Sequence, residues 1–369
     1  MLVLPSVVFL LYGCLIMLVI TGWRKALRRN YPLNRDHPFI TILIPVRDEE
    51  KNIIILLDDI SRQNYPRDLF EVVVIDDHSG DDTVAVVEGW IRHHPEIQLS
   101  IILLKDASGK KAALTAGVGA ANGEIIITTD ADCRAGVHWI QSMADAFGSK
   151  VQMVIGPVCL MDNKTLFGRF QQLELMVLSA TGMATMALGL PTMCNGANVA
   201  FRKSAFLQVG GYTGNENIAS GDDEFLLRKI VSAYPNGVAL LNNSEGIITT
   251  QPSKTWKEFT NQRFRWAGKW RKHGLGFSSL MAFVVFLANV QVPLVMLFFL
   301  LGLIPEQSIT LILLKVIPDL ILILVVYPFF RIRFRLMLFF WMQLVYPFYV
   351  VFFGLTANFL PAYWKGRKI

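Results

Sequence analysis

The chain has 369 residues, 53% of them hydrophobic, and its formal net charge is +6 at pH 7. So apolar a composition excludes an ordinary soluble protein, and the length leaves room for one domain of average size plus further segments. The positive charge does not indicate a nucleic-acid partner, because the basic residues cluster beside apolar stretches and residues 30–268 carry a net charge of −6.

Four apolar stretches are long enough to cross a membrane, for which about 20 residues are needed. No charged residue occurs in stretches 1–23, 274–305 and 336–364, and the stretch 308–330 contains only Lys315 and Asp319. The sequence therefore predicts an integral membrane protein with an N-terminal anchor, residues 1–23, and about three further spans within residues 274–364.

Basic residues next to these stretches predict their orientation. Four of them follow the anchor within residues 24–29, and three stand at positions 331, 333 and 335, between the third and fourth stretches. Such clusters favour the cytoplasmic side. The basic tail, residues 365–369, breaks this rule if every stretch crosses. Either the tail lies outside the cell, or one stretch is bent or re-entrant, with Pro318-Asp319 and Tyr346-Pro347 as the candidate breaks.

Strands alternate with helices from Phe39 onward. The predicted strands are 40–45, 70–75, 99–104 and 124–129, and the predicted helices are 48–63, 81–94 and 109–121. β-branched strands with short connections favour a mostly parallel sheet covered by helices. Right-handed crossovers then bring the carboxyl ends of the strands to one edge. We therefore expect a cytoplasmic α/β domain over residues 37–240.

Acidic clusters follow three of these strands: Asp48-Glu49-Glu50, Asp76-Asp77 and Asp130-Ala131-Asp132. Taken singly, each cluster suits a turn or a helix cap. Together on one sheet edge they favour a nucleotide site, because Mg²⁺ and Mn²⁺ bridge one or two carboxylates to nucleotide phosphates. Asp130 and Asp132 are the expected metal ligands. Lys110 stands at a helix start, where the dipole disfavours a cation, so it indicates a phosphate partner or is an ordinary solvated lysine.

Four segments occur in order: Ile44-Pro45-Val46-Arg47-Asp48-Glu49, Val74-Ile75-Asp76-Asp77-His78-Ser79, Gly109-Lys110 with Ala113-Leu114, and Thr129-Asp130-Ala131-Asp132. They resemble the successive motifs of family 2 glycosyltransferases with the GT-A fold, a doubly wound and mostly parallel sheet. The resemblance implies a nucleotide-sugar site, with a UDP-sugar as the expected donor, formed by Pro45, Arg47, Glu49, Asp76, Asp77, Lys110 and Asp130. His78 departs from the family's usual glycine, which leaves the turn geometry open.

Two later segments continue the resemblance. Although a plain turn explains it equally, the small-residue loop 193–198 implies an acceptor site formed by Asn195, Gly196 and Asn198. Asp222-Asp223 matches the family's Glu-Asp-x-x-Leu signature with Asp222 in place of the glutamate, while the local pattern is also that of a helix start capped by Ser220. The resemblance implies catalytic roles for Asp222 and Asp223, with Asp223 as the base that takes the proton of the acceptor hydroxyl.

The segment 241–273 contains Gln262-Arg263-Phe264-Arg265-Trp266. Its arginines and tryptophans fit an interfacial amphipathic helix. It also matches the Gln-x-x-Arg-Trp motif and so resembles the membrane-embedded cellulose, hyaluronan and chitin synthases and the ceramide glucosyltransferases. This resemblance implies that Gln262 and Trp266 border the acceptor and that Arg265 stabilises the leaving diphosphate.

These features predict an inverting, metal-dependent hexosyltransferase at the cytoplasmic face of the inner or plasma membrane, in contact with membrane lipids. We expect a nucleotide sugar, Mg²⁺ or Mn²⁺, and a lipid, lipid-linked or glycan acceptor that receives a β-linked sugar. A processive polysaccharide synthase of the same family is the close alternative. A non-catalytic membrane scaffold or polymer-export component is the alternative from another class.

Overall fold

The computed structural model describes residues 3–29, 37–214, 221–267, 276–356, 363–364 and 367–368 of the chain. Contacts divide the chain into two compact units. The α/β unit comprises residues 26–161 and 193–251, and the helical unit comprises residues 1–25, 162–192 and 252–369. The α/β unit thus continues past the expected end at residue 240, and residues 162–192 group with the apolar helices instead.

The strands, in chain order, are β1 (Ile40–Val46), β2 (Phe70–Asp76), β3 (Leu99–Leu103), β4 (Ile125–Thr128), β5 (Arg134–Ala135), β6 (Met153–Ile155), β7 (Val158–Leu160), β8 (Val199–Arg202), β9 (Val238–Leu240), β10 (Ile248–Thr250), β11 (Tyr363–Trp364) and β12 (Arg367–Lys368). The α-helices are α1 (Val3–Arg28), α2 (Ile53–Ser61), α3 (Thr83–His93), α4 (Lys110–Ala120), α5 (Trp139–Asp145), α6 (Leu166–Ala187), α7 (Lys203–Gln208), α8 (Asp222–Ala233), α9 (Trp256–Ala267), α10 (Phe277–Leu300), α11 (Leu313–Val326) and α12 (Leu336–Thr356). Short 3₁₀ segments occur at Arg67–Leu69, Ser244–Gly246 and Glu306–Ile312.

A seven-stranded sheet forms the centre of the α/β unit, with the strand order β3-β2-β1-β4-β8-β6-β9. The first four strands pair in parallel, β8 is antiparallel to both of its neighbours, and β9 is parallel to β6. Isoleucine and valine fill most of β1, β2 and β4, and these side chains are buried, as strands inside a covered sheet require. The predicted mostly parallel α/β sheet is therefore confirmed.

The strand register places the carboxyl ends of three parallel strands side by side. Val46 of β1 pairs with Asp76 of β2, and Leu43 pairs with Thr128 of β4. The loops that follow β1, β2 and β4 therefore leave from one edge of the sheet, as right-handed crossovers require. These loops carry the three acidic clusters.

The first predicted helix starts at Ile53 rather than at Asp48. Asp48 has a φ of 52°, which a right-handed helix does not allow. Its Oδ1 accepts a hydrogen bond from the Gly80 amide (2.7 Å), and the Glu49 amide donates to Thr83 Oγ1 (2.8 Å). These acidic residues thus join the loop after β1 to the loop after β2 instead of opening a helix. The other predicted strand and helix bounds of the α/β domain differ by one or two residues.

A second, three-stranded sheet has β10 between β5 and β7. β5 follows directly after the loop of Asp130 and Asp132, and it pairs antiparallel with β10. Thr250, the last residue of β10, makes a side-chain hydrogen bond with Asp132. This sheet therefore extends the α/β unit to residue 251 and braces the loop that carries the expected metal ligands.

Among the described residues, four helical segments are long and apolar enough to cross a membrane: Leu4–Arg28, Phe277–Leu300, Ser308–Val326 and Leu336–Thr356. They coincide with the four predicted stretches. The third begins within the 3₁₀ segment and continues as α11. Pro318 and Pro347 lie inside α11 and α12, so neither of the two candidate breaks ends its helix.

Contacts inside the helical unit pair α1 with α11. Tyr12 Oη donates a hydrogen bond to Asp319 Oδ1 (2.5 Å). Further along both segments, the ring centroid of Trp23 lies 5.2 Å from that of Phe329 and 6.1 Å from that of Phe330. The two helices therefore run parallel, and the basic residues in the last turns of α1 lie at the same end as those that follow α11. This arrangement agrees with one common side for both basic clusters.

Lys315 of α11 is 1% exposed and has its charge neutralised within the helical unit. Its ammonium group donates to Asp319 Oδ2 (2.9 Å) and to Gln343 Oε1 (2.9 Å). Gln343 Nε2 also donates to Asp319 Oδ2 (3.0 Å). The two charged residues of the third apolar stretch therefore form a hydrogen-bonded pair with α12, which is how ionisable groups are tolerated among apolar helices.

Candidate functional site

Arg47 and Asp77 tie together the loops after β1 and β2. Arg47 Nη1 donates to the carbonyl oxygen of Asp77 (2.9 Å) and lies 3.8 Å from its carboxylate. Asp77 is buried and also accepts a hydrogen bond from the Gly109 amide (3.0 Å) before α4. One buried carboxylate thus connects three of the loops that are expected to form the nucleotide site.

Asp76, the last residue of β2, has one carboxylate oxygen available. Oδ2 accepts a hydrogen bond from the Ser79 amide (3.1 Å), whereas Oδ1 is buried and has no hydrogen-bond partner among the described residues. A buried acceptor without a donor costs about 1–3 kcal/mol. Asp76 Oδ1 is therefore suited to accept a hydrogen bond from a ligand. Pro45 lies on the neighbouring strand, paired with Ile75.

His78 replaces the expected glycine, and the chain still completes the turn. Its φ is 59°, a left-handed conformation that histidine tolerates better than most residues. Nδ1 lies 3.2 Å from Asp77 Oδ1, and Nε2 lies 3.2 Å from the carbonyl oxygen of Lys105. These two contacts hold the ring and offset the strain of the backbone.

Lys110 Nζ lies 2.5 Å from Asp130 Oδ1, and both side chains are partly exposed. Gly109, with a φ of 94°, leads the chain into α4 directly before this lysine. The ion pair accounts for a cation at a helix start, because the carboxylate offsets the unfavourable dipole. Lys110 is therefore not a merely solvated lysine, and its phosphate partner stays a prediction.

Asp130 and Asp132 lie in the loop between β4 and β5. Burial, together with the charges of Asp130 and Glu49, raises the pKa of Asp132 from 3.8 to about 6, although the Thr250 hydrogen bond and Lys110 oppose the shift. Carboxylates that repel one another favour a cation between them. Among the described residues, no group of three or more His, Cys, Asp or Glu side chains is arranged to hold a metal ion. The two carboxylates fit a cation that takes its other ligands from phosphate and water.

A chain of hydrogen bonds holds the Asp223 carboxylate near the end of β4. The Gly196 amide donates to Asp223 Oδ2 (2.8 Å), and the Glu224 amide donates to Oδ1 (2.8 Å). The Gly196 carbonyl oxygen in turn accepts a hydrogen bond from Thr128 Oγ1 (2.8 Å). Thr128 ends β4, directly before the loop of Asp130. The expected base and the expected metal ligands are thus connected to the same strand end.

Asn198 connects segments of the α/β unit, and its expected role toward an acceptor stays a prediction. It is fully buried, and its Nδ2 donates to the carbonyl oxygens of Pro157 (2.8 Å) and Gly246 (2.9 Å). Its Oδ1 accepts a hydrogen bond from Trp139 Nε1 (2.9 Å). The side chain therefore joins three segments of the α/β unit and is closed off from solvent.

The start of α8 differs from the expectation. The helix begins at Asp222, and Gly221, with a φ of 87°, occupies the N-cap position that was expected for Ser220. Ser220 lies outside the described residues, as does the side chain of Asp222. Asn195 Oδ1 accepts a hydrogen bond from the Ala197 amide (3.1 Å) and so shapes the loop that presents the Gly196 amide.

Gln262, Arg265 and Trp266 lie on α9, in the helical unit. Arg263 contacts two of these three residues. Its Nη1 donates to Gln262 Oε1 (2.6 Å), and its guanidinium carbon lies 4.3 Å from the centre of the Trp266 ring. The roles of the motif residues toward an acceptor and a diphosphate stay predictions.

Arg263 belongs to a buried polar cluster that the sequence analysis missed. Its Nη2 pairs with Glu174 Oε2 of α6, and its Nε donates to Tyr349 Oη of α12 (2.8 Å). Tyr349 Oη donates in turn to Glu174 Oε1 (2.6 Å). A glutamate in the largely apolar sequence of α6 was the available signal, but its partner lies 89 residues later in the chain.

Comparisons with known proteins agree with this architecture. The model of the family described as Glycosyl transferase family 21 matches residues 5–368. The Bacillus subtilis protein named "Probable glycosyltransferase YdaM" is 28% identical over 250 residues, which cover 65% of this chain and 58% of that protein. The Dictyostelium discoideum dolichyl-phosphate beta-glucosyltransferase is 27% identical over 103 residues, 26% of this chain and 32% of that enzyme.

One solved structure matches nearly the whole chain. It is the mannosyltransferase PcManGT from Pyrobaculum calidifontis, in complex with GDP-Man and Mn²⁺, with a TM-score of 0.61 at 17% identity over 97% of this chain and 99% of that one. This likeness confirms the predicted GT-A fold. The glycosyltransferase class is confirmed at the level of the family, whereas the kinship with cellulose or ceramide enzymes stays a prediction.

Proposed function

The chain belongs to glycosyl transferase family 21, and on this premise we propose that it transfers a sugar from a nucleotide sugar to a hydroxyl group of a lipid or lipid-linked acceptor. The transfer inverts the anomeric carbon, gives a β-glycosidic bond and depends on Mg²⁺ or Mn²⁺. The observation that carries the proposal is the hydrogen-bond chain from Asp223 through Gly196 to Thr128, since it connects a base to the strand that leads into Asp130 and Asp132.

Asp130 and Asp132 would hold the divalent cation, and Lys110 would share the diphosphate with it. When bound, the cation supplies charge neutralisation for the departing diphosphate. Lys110 is paired with Asp130 (2.5 Å), so a diphosphate at this loop offers its ammonium group a second anionic partner. Asp76 Oδ1, buried and without a protein donor among the described residues, would accept a hydroxyl of the nucleoside, and Pro45, Arg47, Glu49 and Asp77 would shape that part of the site.

Asp223 would take the proton of the acceptor hydroxyl. The acceptor oxygen then bonds to the anomeric carbon, the bond from that carbon to the diphosphate oxygen breaks, and the proton rests on the carboxylate. The Gly196 amide donates to one Asp223 oxygen and the Glu224 amide donates to the other. The two amides fix the orientation of the carboxylate, which is what a positioned base requires.

A membrane-embedded acceptor suits the four apolar helices. The similarity to a dolichyl-phosphate beta-glucosyltransferase supports a lipid acceptor, since the name of that relative states a lipid phosphate. Gln262, Trp266 and Asn195 with Gly196 would border the acceptor, and Arg265 would stabilise the leaving diphosphate. The common end of the two basic clusters supports a cytoplasmic active site at the inner or plasma membrane.

The test is release of nucleoside diphosphate by the detergent-purified chain, supplied with membrane lipid extract and either Mg²⁺ or Mn²⁺. A panel of UDP-sugars and GDP-sugars identifies the donor, and we expect a UDP-sugar to be used. Asp132→Asn, Asp223→Asn and Arg265→Gln should each lose the activity, as should the parent in chelator. Asp145→Asn, which removes a carboxylate outside the candidate clusters, is the matched control and should keep it.

If the parent releases no diphosphate with any sugar of the panel and binds no nucleotide by calorimetry in the presence of cation, the proposed transferase activity is refuted. That result would favour the non-catalytic scaffold. Release of long water-soluble chains instead of a glycolipid would favour the processive synthase. Full activity in chelator would contradict the role of the cation and leave the transfer itself intact.

A further inference from the structure

A basic cavity lies in the helical unit between α6 and the connection from α11 to α12. It is a shallow depression, and the empty space of about 330 Å³ at its mouth includes open solvent. Its walls include Arg169 and Gln172 of α6, and Tyr327, Arg333, Phe334 and Arg335 of the connection. None of these residues belongs to the candidate catalytic, nucleotide or acceptor groups.

The cavity carries an excess of positive charge. Asp162 Oδ1 lies 3.1 Å from Arg169 Nε, and Asp162 Oδ2 lies 3.6 Å from Arg335 Nη2. Arg333 is a third arginine in the wall, so the three arginines and Asp162 together carry a net charge of +2. A guanidinium group can donate two parallel hydrogen bonds to two oxygens of one phosphate, and it is less strongly hydrated than an ammonium group. The charge and its geometry therefore suit a phosphate.

The position of the cavity suits a lipid. α11 and α12 are both long and apolar enough, with the 3₁₀ residues before α11, to cross a membrane, so the connection between them lies at headgroup level. Directly after Arg335, α12 exposes an apolar stripe at helical spacing: Leu336 (48%), Met337 (82%), Phe340 (48%) and Leu344 (61%). In a bilayer, acyl chains cover this stripe, so the acyl chains of a lipid whose headgroup lies in the cavity would have an apolar surface directly beside it.

We propose that this cavity binds the phosphate headgroup of an anionic phospholipid of the bilayer, with the acyl chains along the exposed stripe of α12. Arg169, Arg333 and Arg335 hold the phosphate, and Asp162 keeps Arg169 and Arg335 in place. Basic pockets between membrane helices recognise anionic headgroups in this way. The bound lipid joins α6 to the connection of α11 and α12, and this role is independent of the transfer reaction.

The experiment measures lipid binding to the delipidated full chain in neutral detergent by native mass spectrometry. Phosphatidylglycerol is titrated as the anionic lipid, and phosphatidylcholine is titrated as the zwitterionic comparison. Arg333→Gln should weaken phosphatidylglycerol binding about fivefold, because one basic residue at the membrane surface contributes about 1 kcal/mol. Arg331→Gln is the matched control, with the same loss of charge on the same connection but outside the cavity wall, and should change the affinity by less than about twofold.

Three results would overturn the proposal. Equal losses in the two variants would indicate general surface attraction instead of a site. Equal affinities of the parent for the two lipids would exclude recognition of the anionic headgroup. Displacement of phosphatidylglycerol by millimolar inorganic phosphate would assign the cavity to a soluble anion. Arg333 is exposed, so circular dichroism should confirm that both variants keep the parent fold.

Discussion

Lys110 and Asp130 form an ion pair of 2.5 Å at the carboxyl edge of the central sheet. The pair occupies one of the two carboxylates proposed to hold the cation, so Lys110 and the cation compete for Asp130. A nucleotide diphosphate would relieve this competition by giving Lys110 another anionic partner. On the proposed function, the pair would therefore couple the binding of the cation to the binding of the nucleotide.

Lys110→Met should raise the affinity for Mn²⁺ alone. It should lower the affinity for the nucleotide sugar in the presence of Mn²⁺ by about tenfold, because one hydrogen bond to a charged group is lost. Isothermal titration calorimetry measures both affinities. Lys111→Met is the matched control, because it removes the neighbouring lysine, which lies over the Phe225 ring (5.6 Å). A fall of both affinities in Lys110→Met would contradict the proposed exchange of partners.

Asp223→Asn should lower the rate of transfer by about 10²–10⁴-fold, the usual contribution of a positioned base. The asparagine oxygen still accepts the Gly196 amide, so the loop that Asp223 holds stays in place. Single-turnover transfer measures the rate, and calorimetry should show unchanged affinity for the nucleotide sugar. A weakened affinity for the nucleotide sugar with an unchanged transfer rate would show that Asp223 binds the donor and is not the base.

Asp132→Asn should stabilise the cation-free protein at pH 7.5 and leave its stability unchanged at pH 3.5. Burial and the charges of Asp130 and Glu49 raise the pKa of Asp132 from 3.8 to about 6, so ionisation costs more in the folded state than in the unfolded state. This penalty is absent below the unfolded pKa and complete once the pH exceeds the folded pKa. Denaturant unfolding in detergent with chelator checks it, and an equal gain at both pH values would refute it.

Asn198→Ala should lower the free energy of unfolding by about 3 kcal/mol, because three buried groups lose their hydrogen-bond partner. Asn195→Ala, in the same loop, loses one local hydrogen bond and should cost less than about 1 kcal/mol. Thermal unfolding compares the two variants. If Asn198→Ala keeps the stability of the parent and raises the KM for the acceptor, the result would contradict the structural role and support contact of Asn198 with the acceptor.

Arg263→Met should lower the free energy of unfolding by about 3–5 kcal/mol, because it leaves Glu174 buried without its partner. The double variant Arg263→Met with Glu174→Leu should recover most of this loss, since it removes both charges from the interior of the helical unit. Thermal unfolding of the parent, the two single variants and the double variant gives the coupling. Additive losses would show that the two residues act independently.

Much of the fold and of the candidate site follows from local pattern. β-branched runs such as Ile125–Thr128 identify buried strands, and polar residues directly after such a strand, as Asp130 and Asp132 are, stand out as a site. The failures share one cause. The expected start of the first helix at Asp48 was wrong, because Asp48 accepts a hydrogen bond from Gly80 in another loop and nothing near Asp48 in the sequence indicates that partner.

By itself, the sequence determined the alternation of strands and helices, the four apolar helices and the sheet edge at which the acidic clusters gather. Each of these features depends on residues that are neighbours in the chain. Only the tertiary structure decided that buried Asn198 hydrogen-bonds to other segments of the α/β unit, that Lys110 pairs with Asp130 and that the Gly196 amide donates to Asp223. These contacts join residues tens of positions apart, and burial selects each partner from many groups with the same hydrogen-bonding chemistry.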